Sequence, residues 1–336
     1  MPNPKISIEE LERKFSDPDV PESDLVPYLD FDRDASGAFA PSVVPNPDLV
    51  ERAEEQRGVM DWANSLARTR RHLRFNRRLN TGVALPVLVS EGDSWFQFPV
   101  FLEDVIDCLG DDYLIWSVDA AGDTLQNMVI DNPEYLDALD TQRDRVRAFL
   151  FSGAGNDIVG EDSDGVPVIE KIVRDFSPGQ PPEFYVDTPA FDAQIAFIDG
   201  AYREVFNAVA ADFPTLPIVI HGYDYSLPGG QPGDNRHPKW ADQDEWLGAP
   251  LRKKGIVDFD LQCAIVRVMV DRLNSLQKSL AGGNNPAGAF ANVHHVDVRG
   301  LLQTDEWADE LHPTNRGYRK VARLFAETLR QALPIA

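Results

Sequence analysis

The chain has 336 residues, of which 43% are hydrophobic and 26% charged, so it is long enough for one large globular domain or two small ones. Its 55 acidic and 32 basic residues give a formal net charge of -23, which disfavours nucleic acid and anionic membrane surfaces as partners. No apolar stretch approaches the roughly 18 residues of a membrane helix, and the first residues lack a signal-peptide pattern, so we expect a cytoplasmic protein, with signal-independent export left open.

Residues 1–45 are rich in Pro, Asp and Ser and contain one short helical pattern, Ile8–Phe15. We predict an extended arm there, followed by one long amphipathic helix from Pro47 to Leu79. Residues 1–80 would pack on a main domain at residues 81–336. A basic cluster near the end of this helix either docks an anionic ligand or, as we favour, packs against the acidic body: Arg68, Arg70, Arg71, Arg74, Arg77 and Arg78, beside His72.

After residue 80, short apolar runs alternate with amphipathic stretches. The predicted strands are Pro86–Ser90, Tyr113–Val118, Ala148–Ser152, Pro217–Gly222 and Val293–Val298. The predicted helices are Pro99–Leu109, Pro133–Arg147, Phe191–Phe213, Phe259–Leu280 and Asn315–Leu333. This alternation predicts a three-layer α/β/α domain with a central, mainly parallel sheet of five strands. Ligands of such sheets gather beyond the carboxyl ends of the strands.

Two insertions interrupt the alternation, at about residues 159–190 and 226–257. Both are rich in Pro, Gly and Asp, and both follow the carboxyl end of a predicted strand. They either cover the ligand site as a lid or elaborate the surface without touching substrate.

Four short segments at this edge of the predicted sheet carry the groups that acyl transfer requires. Gly92-Asp93-Ser94 ends the first strand and can present a hydroxyl, although alone it is also ordinary turn chemistry. Gly122 follows the second strand and offers a backbone N–H, and Asn156 follows the third and offers an amide. Asp309 and His312 lie between the fifth strand and the last helix. Together they supply a nucleophile, a base with its orienting group, and donors for an oxyanion.

In their order and composition these segments resemble the four blocks of the SGNH hydrolase superfamily, also called GDSL esterases and lipases. The resemblance covers roughly three quarters of the chain, from Pro86 onward. It implies a flavodoxin-like α/β/α fold, here with an N-terminal helical extension, and a reaction that needs no metal or other cofactor. Two positions depart from the pattern: Trp95 replaces a leucine, and Ala154 replaces a glycine two residues before Asn156.

The resemblance also implies a mechanism. Ser94 would attack an ester carbonyl, His312 would act as general base and Asp309 would orient the imidazole. The backbone N–H groups of Ser94 and Gly122, with the side-chain amide of Asn156, would form the oxyanion hole.

The expected partner is a small-molecule ester. Trp95 and Phe96, directly after Ser94, suggest an apolar wall for the acyl group, although a core role explains them as well, and Tyr223 at the end of the fourth strand is a further candidate contact. We therefore predict hydrolysis of short or medium acyl esters. A carbohydrate O-deacetylase or thioesterase of the same fold stays open, as does an interaction protein or effector in which the hydrolytic site is secondary or inactive.

The remaining cysteines and histidines indicate neither a disulfide framework nor a metal site. Cys108 and Cys263 lie in different predicted helices without close spacing. His294 and His295 alternate across the fifth predicted strand, so they face opposite sides of the sheet, and neither has metal-ligand spacing with a partner. His237 lies in the second insertion, and His221, at the end of the fourth strand, either contacts substrate or, as we favour, is a core histidine.

Overall fold

The computed structural model describes residues 5–31, 43–51, 59–98, 100–162, 164–234, 236 and 245–333. In these parts, five strands form one parallel sheet: β3 (Val87–Glu91), β4 (Leu114–Ser117), β5 (Val146–Phe151), β6 (Ile218–His221) and β7 (Val293–Val296). Their order across the sheet is β4-β3-β5-β6-β7. Each coincides with a predicted strand, with ends that differ by at most two residues. Helices flank this sheet, and the predicted α/β/α fold class is confirmed.

The N-terminal part is folded and not extended. Helix α1 (Ile8–Phe15) begins where predicted, because the Ser7 hydroxyl accepts a hydrogen bond from the Glu10 N–H. Strands β1 (Leu29–Phe31) and β2 (Val43–Pro45) pair antiparallel. Apolar side chains enclose a small separate core: Leu11, Phe15, Leu25, Leu29, Phe31, Val43 and Val50. The extended arm was therefore wrong for these residues, because clustering removes their scattered apolar side chains from water.

Helix α2 (Val59–Asn80) carries the basic cluster. It is shorter than predicted: residues 47–51 are not helical, and residues 52–58 lie outside the described parts. Arg68 lies 3.0 Å from both carboxylate oxygens of Glu134, and Arg71 lies 2.5 Å from Asp104. Arg70 is buried and donates to backbone carbonyls of the N-terminal segment. These guanidinium groups therefore face carboxylates and carbonyls of the chain itself.

The other helices connect and cover the strands: α3 (Val105–Leu109), α4 (Glu134–Thr141), α5 (Gly155–Val159), α6 (Val168–Ile172), α7 (Pro182–Val186), α8 (Pro189–Asp212), α9 (Gly248–Lys253), α10 (Phe259–Leu280) and α11 (Asn315–Ala332). Helix α10 matches its prediction at both ends. A π-helical segment, Gln126–Asp131, follows β4 and was not predicted.

Helices α3 and α4 are also shorter than predicted. Helix α3 begins at Val105 and not at Pro99, because the Asp104 carboxylate accepts the N–H groups of Ile106 and Asp107 and so caps the helix there. Helix α4 ends at Thr141, because Val146 already begins β5.

The insertions contain short helices rather than loops alone, α6 and α7 in the first and α9 in the second. In the second insertion, residues 235 and 237–244 lie outside the described parts, and His237 is among them. None of the helices in the described parts has the length and apolar character that crossing a membrane requires.

Candidate active site

Ser94 lies on the turn that follows β3. Gly92 permits this turn, because a Cβ at that position would lie 2.7 Å from Cβ of Ser152. The Asp93 carboxylate stabilises the turn, because it accepts hydrogen bonds from the Trp95 N–H at 3.0 Å and from the Ser152 hydroxyl at 2.8 Å. Ser94 is only 1% exposed, so the turn is almost completely buried at this residue.

The predicted base and its partner meet this serine. The Nε2 atom of His312 lies 2.7 Å from Oγ of Ser94, and Nδ1 lies 2.7 Å from Oδ2 of Asp309. A carboxylate only accepts, so the proton resides on Nδ1 and leaves Nε2 free to accept the serine proton. The second oxygen of Asp309 accepts the N–H groups of Leu311 at 2.7 Å and His312 at 2.6 Å, which favours the ionised carboxylate.

Two hydrogen bonds join the serine turn to the C-terminal part of the chain. The indole Nε1 of Trp95 donates to the carbonyl of Leu311 at 3.1 Å, and the Tyr318 hydroxyl of α11 donates to the carbonyl of Ser94 at 3.4 Å. The His312 ring packs edge-on against Phe98, with ring centroids 4.7 Å apart. These contacts fix the positions of Ser94 and His312 relative to each other.

Gly122 occupies a left-handed turn after β4, with φ +83°, a conformation that favours glycine. Neither its backbone N–H nor that of Ser94 donates a hydrogen bond to another described residue. Asn64 of α2 holds the turn, because its Oδ1 accepts the Ala121 N–H at 3.1 Å and its Nδ2 donates to the Ala121 carbonyl at 3.2 Å. The turn thus presents an unused donor on a fixed backbone.

Asn156 lies in the first turn of α5 and is 5% exposed. Its Nδ2 donates to the backbone carbonyl of Asp123, which places the amide against the Gly122 turn. One N–H of this amide therefore remains for another acceptor. Ala154, the departure from the motif, itself adopts a left-handed conformation with φ +87°. The chain thus follows the backbone course that a glycine would take.

A buried polar network lies behind the Ser94 turn. The Tyr223 hydroxyl donates to Asp93 and accepts the Gly155 N–H at 3.0 Å, so it connects the Asn156 helix to the serine turn. His221 Nε2 lies 2.7 Å from the Ser152 hydroxyl. Burial raises the pKa of Tyr223 well above its ordinary value and lowers the pKa of His221, so both groups are neutral at neutral pH.

An almost wholly apolar cavity of about 60 Å³ lies beside Ser94. Two of the three candidate substrate contacts, Trp95 and Tyr223, line it. Residues of α5, α10 and both insertions complete the wall: Ile158, Val159, Ser226, Leu247, Met269 and Leu273. Phe96 was the third predicted contact. It is fully buried against His221 and Phe325 and does not line this cavity, so it belongs to the core.

Sequence reasoning missed the supporting side chains. Asn64 lies in the basic helix, and no local pattern connects it with the Gly122 turn. Glu310 lies inside the last motif and could have been noticed as an acid between Asp309 and His312. In the described residues, no group of three or more His, Cys, Asp and Glu side chains is arranged to hold a metal ion.

No protein-family model and no curated protein matches this chain. Solved structures similar to it include an extracellular lipase from Streptomyces rimosus, 12% identical, covering 72% of this chain and 99% of that chain, with a TM-score of 0.41. Another is a phospholipase A1 from Streptomyces albidoflavus, which is 12% identical, covers 73% of this chain and 100% of that chain, and has a TM-score of 0.40. A third is a carbohydrate esterase family 3 protein from Talaromyces cellulolyticus, which is 12% identical, covers 74% of this chain and 97% of that chain, and has a TM-score of 0.39.

The descriptions of these solved structures name a lipase, a phospholipase and a carbohydrate esterase.

Proposed function

We propose that this protein is a serine ester hydrolase of the SGNH type. The proposal is carried by one observation, the continuous chain of hydrogen bonds from Ser94 through His312 to Asp309, with 2.7 Å at each of its two links. Serine, neutral imidazole and an ionised carboxylate in this order are the arrangement that activates a hydroxyl for acyl transfer.

In the proposed mechanism, Oγ of Ser94 attacks the ester carbonyl carbon while its proton moves to Nε2 of His312. The imidazolium, stabilised by Asp309, then protonates the departing alcohol as the carbon–oxygen bond breaks and leaves an acyl-enzyme. Water then attacks the acyl carbon while its proton moves to Nε2 of His312. As the bond between the acyl carbon and Oγ of Ser94 breaks and the acid leaves, the imidazolium returns this proton to Oγ.

The negative charge that develops on the carbonyl oxygen needs donors. We assign this role to the N–H groups of Ser94 and Gly122 and to the remaining N–H of the Asn156 amide. The two backbone donors have no acceptor among the described residues, and the third is placed beside Gly122 by its bond to Asp123. Removing one such donor typically costs about 2.7 to 4 kcal/mol of transition-state stabilisation.

The cavity beside Ser94 supports a short acyl group. A volume of about 10 to 15 Å³ of this kind corresponds to one water-sized group, so the cavity volume of about 60 Å³ accommodates an acyl chain of about four to six carbons. Its apolar walls suit an alkyl chain better than a sugar ring. We therefore propose esters of short acids as substrates.

The test combines a fluorophosphonate probe with p-nitrophenyl esters. Wild-type protein should be labelled at Ser94 and should hydrolyse the butyrate ester, whereas Ser94→Ala should do neither and should stay folded. Ser279→Ala, which changes an exposed serine, is the matched control and should behave as wild type. A folded wild-type protein that neither reacts with the probe nor hydrolyses the esters would refute the proposal and favour an interaction protein.

A further inference from the structure

Glu310 is a buried carboxylate between the two triad positions Asp309 and His312 that the proposed mechanism does not use. It is 1% exposed, and four backbone N–H groups converge on it. Its Oε1 accepts from Gly229 at 2.5 Å and from Gly248 at 2.7 Å. Its Oε2 accepts from Trp246 at 2.8 Å and from Leu247 at 2.9 Å.

The donors come from both ends of the second insertion. Gly229 lies near its start, and Trp246–Gly248 lie at the beginning of α9, so one carboxylate joins two segments separated along the chain. No lysine or arginine among the described residues forms an ion pair with Glu310. The four N–H groups therefore offset part of the cost of burying its charge.

The ionised form fits this environment. A carboxylate is an acceptor at both oxygens, whereas a protonated acid or an amide would direct a hydrogen at groups that are themselves donors. The pKa of Glu310 is raised to about 7, because the effect of burial outweighs that of the four backbone N–H groups, which oppose it.

The segment that Glu310 holds forms part of the candidate active site. The Leu247 side chain lines the cavity beside Ser94, and Ser226, three residues before Gly229, lines it from the other end of the insertion. The Trp246 indole packs edge-on against the His312 ring, with centroids 5.9 Å apart. The insertion thus supplies a wall of the acyl cavity and a contact to the base.

We propose that Glu310 is a positioning residue that sets acyl-chain selectivity by holding the second insertion against the active site. This inference rests on the proposed function. Without the carboxylate, Leu247 loses its fixed place and the cavity admits longer chains. The triad itself keeps its geometry, because Asp309 fixes the His312 ring and its backbone independently of Glu310.

The experiment compares wild type with Glu310→Gln, an isostere, and Glu310→Ala. The matched control is Asp305→Asn, which changes an exposed carboxylate in the same connection between β7 and α11. Each protein is assayed for kcat and KM on p-nitrophenyl acetate, butyrate and octanoate, and for the rate of fluorophosphonate labelling at Ser94. Hydrogen exchange is measured at the amides of Gly229 and Trp246–Gly248.

We expect the ratio of kcat/KM for butyrate over octanoate to fall by about tenfold in both Glu310 variants, chiefly through KM, as expected for a changed fit of an alkyl chain. Labelling of Ser94 should change much less, and the four amides should exchange faster. The control should match wild type in every measurement.

Unchanged selectivity and unchanged exchange in a folded Glu310→Gln protein would overturn the inference. Loss of the native fold in both variants would overturn it as well, because positioning of one insertion leaves the core intact. Failure of the proposed function is distinct: wild type would then show neither labelling nor turnover. In that case faster exchange without any activity would also refute the selectivity role.

Discussion

The acyl cavity makes a prediction that can be worked out from one side chain. Leu273 of α10 is 2% exposed and lines the cavity beside Ser94. Replacing it with alanine removes three carbons from the wall, so the cavity should admit about three more methylene groups of the substrate. Each buried methylene contributes about 0.8 kcal/mol. Three contribute about 2.4 kcal/mol, which corresponds to about sixtyfold in kcat/KM.

The assay is kcat/KM across p-nitrophenyl esters from acetate to octanoate. In Leu273→Ala we expect the preferred chain to lengthen by about three carbons, with the selectivity for octanoate over butyrate increasing by up to about sixtyfold. The substitution also destabilises the core by about 2 to 5 kcal/mol.

A control for that destabilisation lies on the same helix. Leu280 of α10 is fully buried but does not line the cavity, so Leu280→Ala should lower stability without changing the chain-length profile. A uniform loss of activity in Leu273→Ala, or the same change of profile in Leu280→Ala, would refute the assignment of this cavity to the acyl group.

Three further predictions concern single residues. Asn156→Ala should lower kcat by about 10² to 10³ with little change in KM, and a pure KM effect in steady-state assays would contradict its oxyanion role. Ala154→Gly should raise the free energy of unfolding by up to about 1 kcal/mol, because relief of the left-handed strain exceeds the entropy that glycine loses; a loss of stability in thermal melts would contradict this. Burial raises the pKa of Asp119 from 3.8 to about 6, so across that pH window the native state keeps a proton that the unfolded state releases. The contribution of Asp119 to the free energy of unfolding should therefore fall by about 3 kcal/mol as the pH rises through this window. In Asp119→Asn, denaturant titrations should show a free energy of unfolding that depends less on pH. The same pH dependence in wild type and variant would refute the prediction.

The strands and the long helices of the main domain were predictable because their signal is local. The five strands of the parallel sheet are short and mostly buried, and an aspartate, Asp258, caps the start of α10. The ends of α3 and α4 were not predictable from periodicity alone. Helix α3 begins later than its pattern suggests, because the Asp104 side chain accepts two N–H groups at its start. The amphipathic pattern of α4 continues past the end of the helix into residues that form β5.

The residues of the candidate site were predictable because the strand ends of a parallel sheet lie at one edge, so Ser94, Gly122 and Asn156 had to approach one another. Their catalytic roles stay a proposal. What the sequence could not reveal depends on long-range contacts. Asn64 reaches the Ala121 backbone across 57 positions, and Glu310 collects donors 62 to 81 positions away. Likewise, the course of the backbone after Ser94 determines that Trp95 and not Phe96 lines the cavity, and residue type alone does not reveal this.

The proposed nucleophile and its base are 218 positions apart, and the Trp95 indole bridges the same gap to the Leu311 carbonyl. During synthesis Ser94 would leave the ribosome long before His312 is added, so the growing chain would carry a serine hydroxyl that has no general base. Reactivity toward an acyl donor would then appear only when the two halves dock. For the same reason, two separately expressed fragments, one with Ser94 and the other with His312, would make a complementation reporter. Ester cleavage would signal that the fragments have reassembled.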